Sequence, residues 1–204
     1  MLAHRIIPTI LCRGRQQVKG MGFDSWRSVG LAAQAVRVHQ QRGVDELCLL
    51  DIRATPDGRG PDLDLIEELS ETCFMALSVG GGIHSVTEAK AVLRAGADKV
   101  IVGSGGPRVI NEIACTLGSQ AVIASVDVRD GHAVIRCGRQ ATFQPAHAWA
   151  RSCESHGAGE ILLTAIERDG TMSGYDLRLI HEICEMVGIP VIASGGCSGY
   201  EDML

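Results

Sequence analysis

The sequence predicts an α/β fold of the TIM type, a (β/α)8 barrel made of two similar halves. Short aliphatic runs alternate along the chain with amphipathic stretches of helical spacing. Several segments recur at a nearly constant offset, which indicates a duplicated half-barrel. The 204 residues are few for such a barrel, which typically needs about 250. We therefore expect one domain over residues 1–204, with halves of about 1–117 and 118–204, that lacks the eighth βα unit.

Seven aliphatic runs are predicted to be the parallel strands, at residues 5–11, 46–52, 76–80, 99–103, 122–127, 160–165 and 190–194. Apolar residues at helical spacing predict helices between them, in segments such as 31–41, 62–71, 86–95 and 177–187. Strand, helix and strand repeated in this way imply parallel strands joined by right-handed crossovers. Segment 131–143 differs, because the alternation in Ala133-Val134-Ile135-Arg136 predicts a small hairpin after the fifth strand.

Internal repeats support the two halves. Three segments pair at an offset of about 114 residues. Val44-Asp45-Glu46-Leu47 pairs with Ala158-Gly159-Glu160-Ile161, and Ser78-Val79-Gly80-Gly81 pairs with Ala193-Ser194-Gly195-Gly196. The third pair is Asp57-Gly58 followed by Asp62-Leu63-Asp64-Leu65-Ile66, with Asp169-Gly170 followed by Asp176-Leu177-Arg178-Leu179-Ile180. By this offset, the counterpart of the fourth strand would begin beyond Leu204. Either the sequence is a fragment, or a partner covers the open seam that a missing strand leaves.

Composition excludes several classes of protein. Hydrophobic residues make up 46% and charged residues 21%, which is typical of a soluble globular chain, and 3% aromatic residues predict an aliphatic core. A net charge of −5 without a basic run disfavours nucleic acid as a partner. No apolar stretch approaches the roughly 20 residues of a membrane helix, and no signal-peptide pattern opens the chain. We expect a cytoplasmic protein that binds no membrane.

The eight cysteines predict neither a disulfide framework nor a metal site. They are scattered, without a C-x-x-C pair or a nearby set of histidines: Cys12, Cys48, Cys73, Cys115, Cys137, Cys153, Cys184 and Cys197. Such cysteines are usually small buried apolar residues in a reducing cytosol. We expect no metal and no cofactor.

Two glycine-rich turns follow predicted strands on the face where barrel enzymes place their active sites. Gly80-Gly81-Gly82 ends the third strand, and Ser194-Gly195-Gly196 ends the seventh. Glycines there let backbone N–H groups approach phosphate oxygens, although tight turns alone also use glycine. Because the half-barrel repeat relates the two turns, we favour phosphate at both. A substrate with a phosphate at each end is the natural inference.

Asp127 ends the fifth predicted strand on the same face and is a candidate general acid or base. Its alternative role is a cap or a loop salt bridge. The equivalent position in the first half is Leu11, whose side chain cannot transfer a proton. The sequence therefore predicts one catalytic carboxylate where a symmetric ancestor had room for two.

Further polar residues at strand ends and in adjacent loops are predicted to bind substrate, namely Asp51, Ser104, Thr164, Asp169 and Gly170. Lys19 lies in the first predicted loop, where it either closes the mouth and pairs with phosphate or is a solvated loop lysine. Spacing alone leaves both roles open.

Charged residues stand at the opposite face, at the starts of strands one, two, four and six: Arg5, Glu46, Lys99 and Glu160. Barrel bottoms usually bury aliphatic residues, since an unpaired charge there costs several kcal/mol. A ring of alternating sign satisfies itself, either as a structural plug or as a gate to an axial channel. Charge pattern does not separate these roles.

A longer set of motifs carries a resemblance to a known family. It comprises Met1-Leu2-Ala3-His4-Arg5-Ile6-Ile7-Pro8, Val18-Lys19-Gly20, Asp45-Glu46-Leu47, Gly80-Gly81-Gly82-Ile83, Ala97-Asp98-Lys99-Val100, Gly118-Ser119-Gln120, Gly157-Ala158-Gly159-Glu160-Ile161-Leu162-Leu163, Arg168-Asp169-Gly170-Thr171 and Ile189-Pro190-Val191-Ile192-Ala193-Ser194-Gly195-Gly196. In this order the motifs resemble the cyclase subunit of imidazole glycerol phosphate synthase along the whole chain. The resemblance implies a heterodimer with a class I glutaminase on the N-terminal face of the barrel. Ammonia from that partner would cross the barrel to a bisphosphorylated ribulosyl intermediate.

The resemblance also implies roles for single residues. Asp127 matches one of two catalytic aspartates, and Leu11 stands where the other is expected. Lys19 matches a flexible first-loop lysine, and Gly103 replaces an active-site asparagine. The phosphate sites match Gly82, Asp169, Gly170 and Gly196, and the ring that guards the ammonia entrance matches Arg5, Glu46, Lys99 and Glu160.

Three functional hypotheses follow. The first is a diverged relative that accepts ammonia but delivers it to another phosphorylated acceptor, similar to proteins that amidinate cell-surface sugars alongside a glutaminase and a substrate-activating protein. The second is a working cyclase of histidine biosynthesis. The third is a non-catalytic interaction partner or inactive fragment.

Overall fold

The computed structural model describes residues 5–203. Residues 1–4 and Leu204 lie outside the described residues. The start of the first family motif, and the chain start at which no signal peptide was predicted, therefore also lie outside them. The described residues form eleven strands: β1 (Thr9–Arg13), β2 (Gln16–Met21), β3 (Asp24–Leu31), β4 (Glu46–Asp51), β5 (Ala76–Gly80), β6 (Lys99–Val102), β7 (Val122–Arg129), β8 (His132–Ile135), β9 (Gln140–Pro145), β10 (Glu160–Ala165) and β11 (Val191–Ser194). They also form six α-helices: α1 (Ala32–Arg42), α2 (Leu63–Ser70), α3 (Val86–Arg94), α4 (Gly106–Leu117), α5 (Ala146–Ser155) and α6 (Leu177–Met186).

The predicted α/β class is confirmed, since all seven predicted strands are present and alternate with helices. Two of the seven strands differ from their predicted bounds by more than one residue. The first strand begins at Thr9, so Arg5 precedes it instead of starting it. The fifth strand continues past Asp127 to Arg129, because β8 pairs antiparallel with its last residues and extends the ladder.

The predicted hairpin of segment 131–143 is confirmed as β8 and β9, which pair antiparallel. A second antiparallel element was missed. β2 turns back on β1 and sets Val18 opposite Leu11, with Gly14 in the left-handed turn at φ 55°. Lys19 therefore lies in a strand and is exposed, whereas the sequence placed it in a loop. The correction has a physical reason, because β2 needs its partner β1 and is too short to show a clear alternation alone.

The internal repeat has a structural counterpart at two helix starts. Asp62 caps α2, its carboxylate accepting a hydrogen bond of 3.1 Å from Leu65 N. Asp176 caps α6 in the same way, accepting from Leu179 N at 3.1 Å. Each cap satisfies one of the backbone donors that a helix start leaves without a partner. None of the helices in the described part of the chain is long and apolar enough to cross a bilayer.

The described residues divide into two compact units. The first contains the residues up to Lys19 and Ser28–Ile101, and its strands run in the order β6, β5, β4, β1 and β2. All its neighbouring strands are parallel except β1 and β2. One face carries a buried aliphatic row of Ile10, Leu49, Val79 and Val100. The other face, here called the inner face of the first unit, carries the alternate residues.

The second unit contains Gly20–Arg27 and the residues from Val102 onward. Its parallel strands run in the order β11, β10 and β7, and the hairpin strands β8 and β9 continue from β7. Val126 and Leu163 are buried neighbours on one face of this sheet. The alternate residues, such as Asp127 and Thr164, define the inner face of the second unit.

Candidate functional site

Asp127 lies on the inner face of the second unit among polar neighbours. Ser125, two residues earlier on the same face, donates a hydrogen bond of 3.2 Å from its Oγ to the Asp127 carboxylate. Thr164 is the neighbour of Asp127 on β10, and Ser194 is the neighbour of Thr164 on β11. The sequence predicted Asp127 and Thr164 but missed Ser125, although the i, i+2 spacing was a usable signal.

Burial changes the acidity of Asp127. Desolvation of the half-buried carboxyl is the main cause that raises its pKa, to about 7, and the negative charge of Asp169 adds to the rise. The hydrogen bond from Ser125 opposes it by stabilising the ionised form. A carboxyl with this pKa exists in both protonation states near neutral pH. It is therefore suited to give or to take a proton.

Asp169 is held by a segment that the sequence did not connect with it. Its carbonyl accepts a hydrogen bond of 2.9 Å from Gly22 N, and its carboxylate accepts one from Phe23 N. Burial nevertheless raises the pKa of Asp169. Phe23 adopts a left-handed φ of 64°, which is strained for a bulky residue. The turn that follows β2 thus lies against the Asp169 carboxyl.

Gly170 and Gly196 are required by close packing within the second unit. A Cβ on Gly170 would lie 2.2 Å from Gly20 O, and a Cβ on Gly196 would lie 2.1 Å from Gly174 O. Gly195 and Gly196 both have left-handed φ values, 94° and 95°. These contacts support the tight-turn role that the sequence left open. They are equally compatible with phosphate binding, which stays a prediction at these residues.

The Gly81–Gly82 turn of the first unit is packed as closely as the turn at Gly195 and Gly196. A Cβ on Gly81 would lie 2.5 Å from Asp51 O, and one on Gly82 would lie 2.7 Å from Arg59 O. Both glycines have left-handed φ values, 110° and 75°. The turn therefore lies between the end of β4 and the loop that contains Arg59.

Asp51 ends β4 and is only 8% exposed. Arg59 donates a hydrogen bond of 2.6 Å from Nη2 to Asp51 Oδ2, and Arg53 N and Ala54 N donate to Oδ1 at 2.9 and 3.2 Å. This set neutralises and orients the carboxylate. It also brings a guanidinium group beside the Gly81–Gly82 turn. Sequence reasoning missed Arg59, because the pairing of residues eight apart across a loop has no local periodicity.

Leu11 lies on the inner face of the first unit in an aliphatic surrounding. Its neighbours are Leu50 on β4 and Val18 on β2. The next residue, Cys12, is buried, and desolvation with help from the Asp51 charge raises the pKa of its thiol to about 12. The thiol is therefore protonated and does not replace the carboxylate that the resemblance expects at Leu11.

Two further predicted positions lie at the end of β6. Ser104 Oγ accepts a hydrogen bond of 3.2 Å from Arg136 N and so joins this loop to the hairpin of β8 and β9. Gly103 faces Ser125: a Cβ at Gly103 would lie 3.4 Å from the Ser125 Cβ. The glycine thus leaves space beside the residue that holds Asp127.

At the opposite strand ends, the first unit brings three predicted charges together. Glu46 starts β4 and is 8% exposed. It forms an ion pair with Arg5, and its other carboxylate oxygen lies 3.2 Å from Lys99 Nζ. Glu160 starts β10 in the second unit. The ring of four charged residues and its role as a gate both stay predictions.

Comparisons with known proteins agree with these features. A family model described as histidine biosynthesis protein matches residues 5–204. The chain is 43% identical over 209 residues to imidazole glycerol phosphate synthase subunit HisF of Hyphomonas neptunium, covering 99% of this chain and 83% of the relative. It is also 43% identical over 210 residues to imidazole glycerol phosphate synthase subunit HisF of Bacillus cereus, with the same coverage of 99% and 83%.

Proposed function

The chain belongs to the histidine biosynthesis protein family, and from this premise we propose that it accepts ammonia from a glutaminase partner and delivers it to a phosphorylated acceptor. The predicted resemblance to the cyclase subunit is confirmed, and the TIM-type α/β class agrees with it. The identity of the acceptor and the catalytic activity of the chain are part of this proposal.

The proposal rests on the ion pairs that Arg5 and Lys99 form with the buried Glu46. These side chains hold mixed charge at the strand starts, whereas Asp51 and the Gly81–Gly82 turn lie at the strand ends. Burying such charges costs free energy that a plain aliphatic layer would avoid. The charges would have a function if a small polar molecule passes from the strand starts to the strand ends, because they would then stand at its entrance. Docking of a class I glutaminase at the strand starts would deliver ammonia to that route.

The surroundings of Leu11 favour an acceptor other than the histidine intermediate. Leu50 and Val18 flank Leu11, and the neighbouring thiol of Cys12 is protonated, so none of these described residues transfers a proton at the place of the second aspartate. One general acid or base typically contributes about 10²–10⁴-fold to a rate. We therefore assign ammonia delivery to a phosphorylated intermediate in the amidination of a cell-surface sugar.

A second candidate, a working histidine-pathway cyclase, is favoured by the pair of Asp127 and Asp169. Both carboxyls lie in the second unit, and both have pKa values raised by burial. If Asp169 serves as the second acid or base, turnover of the histidine intermediate does not need a carboxylate at position 11.

Two assays test the proposal. The chain is incubated with the bisphosphorylated ribulosyl intermediate and an ammonium salt at alkaline pH, with a cyclase from a relative as the positive control. We expect turnover at least about 10²-fold below that control. Turnover equal to the control would establish the second candidate instead.

The second assay mixes the chain with a candidate class I glutaminase and measures glutamine hydrolysis. We expect a complex and a stimulated rate. A Glu46→Gln variant is the matched comparison, since it removes the negative charge that holds Arg5 and Lys99. No complex and no stimulation would overturn ammonia delivery and leave a non-catalytic role.

A further inference from the structure

Gly103 follows β6 and faces Ser125, the residue that donates a hydrogen bond to Asp127. A Cβ added to Gly103 would lie 3.4 Å from the Ser125 Cβ and 3.8 Å from its Oγ, which is ordinary van der Waals contact. The φ of Gly103 also lies outside the left-handed region that favours glycine. Neither packing nor backbone geometry therefore requires a glycine at this position.

Other glycines of the second unit differ from Gly103 in both respects. Gly170 and Gly196 have left-handed φ values, and a Cβ on either would lie within 2.2 Å of a backbone oxygen. Glycine loses more conformational freedom on folding than any other residue, so a glycine that the fold does not need lowers stability. Glycine at such a place often marks the close approach of a ligand. Gly103 therefore calls for a functional reason.

Open space adjoins Gly103 on the side of Asp127. Gly103, Ser125 and Asp127 are each half-buried. Ala124 and Val126, which alternate with the last two along β7, are 0% exposed. One face of β7 is therefore closed by packing, whereas the face that carries the candidate catalytic carboxyl is accessible to a bound molecule beside Gly103.

Ser125 decides which chemical group fits this space. Its hydroxyl donates a hydrogen bond of 3.2 Å to the Asp127 carboxylate. The hydroxyl oxygen keeps lone pairs that accept a hydrogen bond from an N–H group of a ligand. Gly103 presents no polar side chain, and its carbonyl accepts a hydrogen bond of 3.1 Å from Gly106 N. The space therefore suits a ligand group with an N–H on one side and a small apolar part on the other.

We propose that Gly103 determines the choice of acceptor, because it leaves room for the acetyl group of an N-acetylated amino sugar phosphate. This inference rests on the proposed function. An amidine is an amide whose carbonyl oxygen has been replaced by nitrogen, so an amidinated sugar starts as an N-acylated one. The amide N–H donates to Ser125 Oγ, and the methyl group fills the space beside Gly103. The amide carbon is thereby brought next to Asp127.

Gly103→Ala separates a role toward the ligand from a role in packing. The added methyl group contacts Ser125 without a clash and occupies the place of the acetyl methyl. Gly188→Ala is the matched control, because a Cβ at Gly188 would also lie 3.4 Å from its nearest neighbour, Glu154 Oε1, and its φ is not left-handed. Gly188 lies between α6 and β11, before the start of that strand, whereas Asp127 lies near the end of β7.

Isothermal titration of the full chain tests the inference with two probes, N-acetylglucosamine 1-phosphate and glucose 1-phosphate. The probes differ only in the acetamido or hydroxyl group on one carbon. We expect the wild type to bind the acetylated probe about 10-fold more tightly. Gly103→Ala is expected to lose this preference while its affinity for glucose 1-phosphate and its thermal unfolding stay nearly unchanged. Gly188→Ala is expected to behave as the wild type.

Several results would overturn the inference. Equal affinity of the wild type for the two probes, or binding of neither, would exclude a site for the acetyl group. A Gly103→Ala variant that keeps the preference would do the same, and an equal loss for both probes would show a structural role. A crystal structure with the acetylated probe provides a second measurement, in which the methyl group is expected within about 4 Å of Gly103 Cα.

The outcome is distinguishable from that of the proposed function. A chain that prefers the acetylated probe but fails to stimulate a glutaminase would refute the proposed function alone. Stimulation of the glutaminase without that preference would refute this inference alone.

Discussion

Thr164 lies beside Asp127 in the parallel ladder of β10 and β7, so a buried hydroxyl flanks the candidate catalytic carboxyl. The equivalent positions in the ladder of β4 and β1 are Leu50 and Leu11. At equivalent positions of the repeat, the inner face of the second unit is therefore polar and the inner face of the first unit is aliphatic. This asymmetry motivates the first two predictions.

Leu11→Asp is expected to raise turnover of the bisphosphorylated histidine intermediate by about 10²-fold when ammonium salt is supplied. The added carboxyl would lie beside Leu50, where partial desolvation favours proton transfer near neutral pH. The control is Leu11→Asn, because asparagine has nearly the same shape as aspartate but transfers no proton. Equal rates for the two folded variants would contradict the idea that this position lacks only an acid or base.

Asp127→Asn is expected to remove a pH dependence of stability. The native pKa of Asp127 is raised to about 7 from an ordinary value of 3.8. Between these pH values the unfolded chain loses the proton while the native chain keeps it, so the free energy of unfolding falls as pH rises. Above pH 7 the loss is complete and amounts to at most about 4 kcal/mol.

Urea unfolding at pH 4.5 and at pH 8 measures this effect. The stability of Asp127→Asn relative to wild type should rise between the two pH values. Gln140→Ala, an exposed and uncharged change on β9, controls for general effects of substitution. A constant difference between Asp127→Asn and wild type would show that the carboxyl is not desolvated.

Glu46→Gln is expected to lower the free energy of unfolding by about 1–3 kcal/mol, because it weakens two ion pairs around a buried carboxylate. Glu112→Gln is the matched control. It breaks the ion pair of Arg108 and Glu112 on the exposed face of α4, where the expected loss is below about 0.5 kcal/mol. Chemical denaturation at low and moderate salt measures both. Equal losses would mean that the Glu46 pairs behave as surface pairs.

Gly196→Ala is expected to cost more than about 2 kcal/mol, since its Cβ would lie 2.1 Å from Gly174 O and its φ is left-handed. Gly131→Ala separates the two causes. Gly131 has a left-handed φ of 72° but no heavy atom within 4 Å of an added Cβ, so only the backbone term of about 1 kcal/mol applies. Thermal unfolding of both variants measures the difference. Similar losses would argue against the close contact between the turns at Gly174 and Gly196.

The sequence predicted the elements well where the signal was local. The run Glu160–Ala165 was predicted at its observed bounds, and the alternation near Val134 gave the hairpin of β8 and β9. The first connection was predicted poorly. β2 and β3 stand there instead of a loop, and Lys19 lies in β2, because antiparallel pairing with β1 stabilises a strand whose own pattern is weak.

The sequence predicted several residues of the candidate site but not the hydrogen-bond partners of those residues. Asp51, Asp127 and Asp169 were recognised from their positions after aliphatic runs. Arg59 as the partner of Asp51, and Phe23 as the donor to Asp169, were not recognised. These partners are separated along the chain by loops whose course no periodicity describes.

By itself the sequence determined the order of the seven parallel strands, the family and the residues available for chemistry, because side-chain periodicity and motif spacing are local properties of the chain. Only the tertiary structure decided that Ser78 is buried with no hydrogen-bond partner among the described residues, that Glu46 holds both Arg5 and Lys99, and that burial raises the pKa of Asp127 to about 7. Hydrogen bonds and desolvation act through space over a few ångströms. Which atoms come that close is fixed by packing between segments distant in sequence.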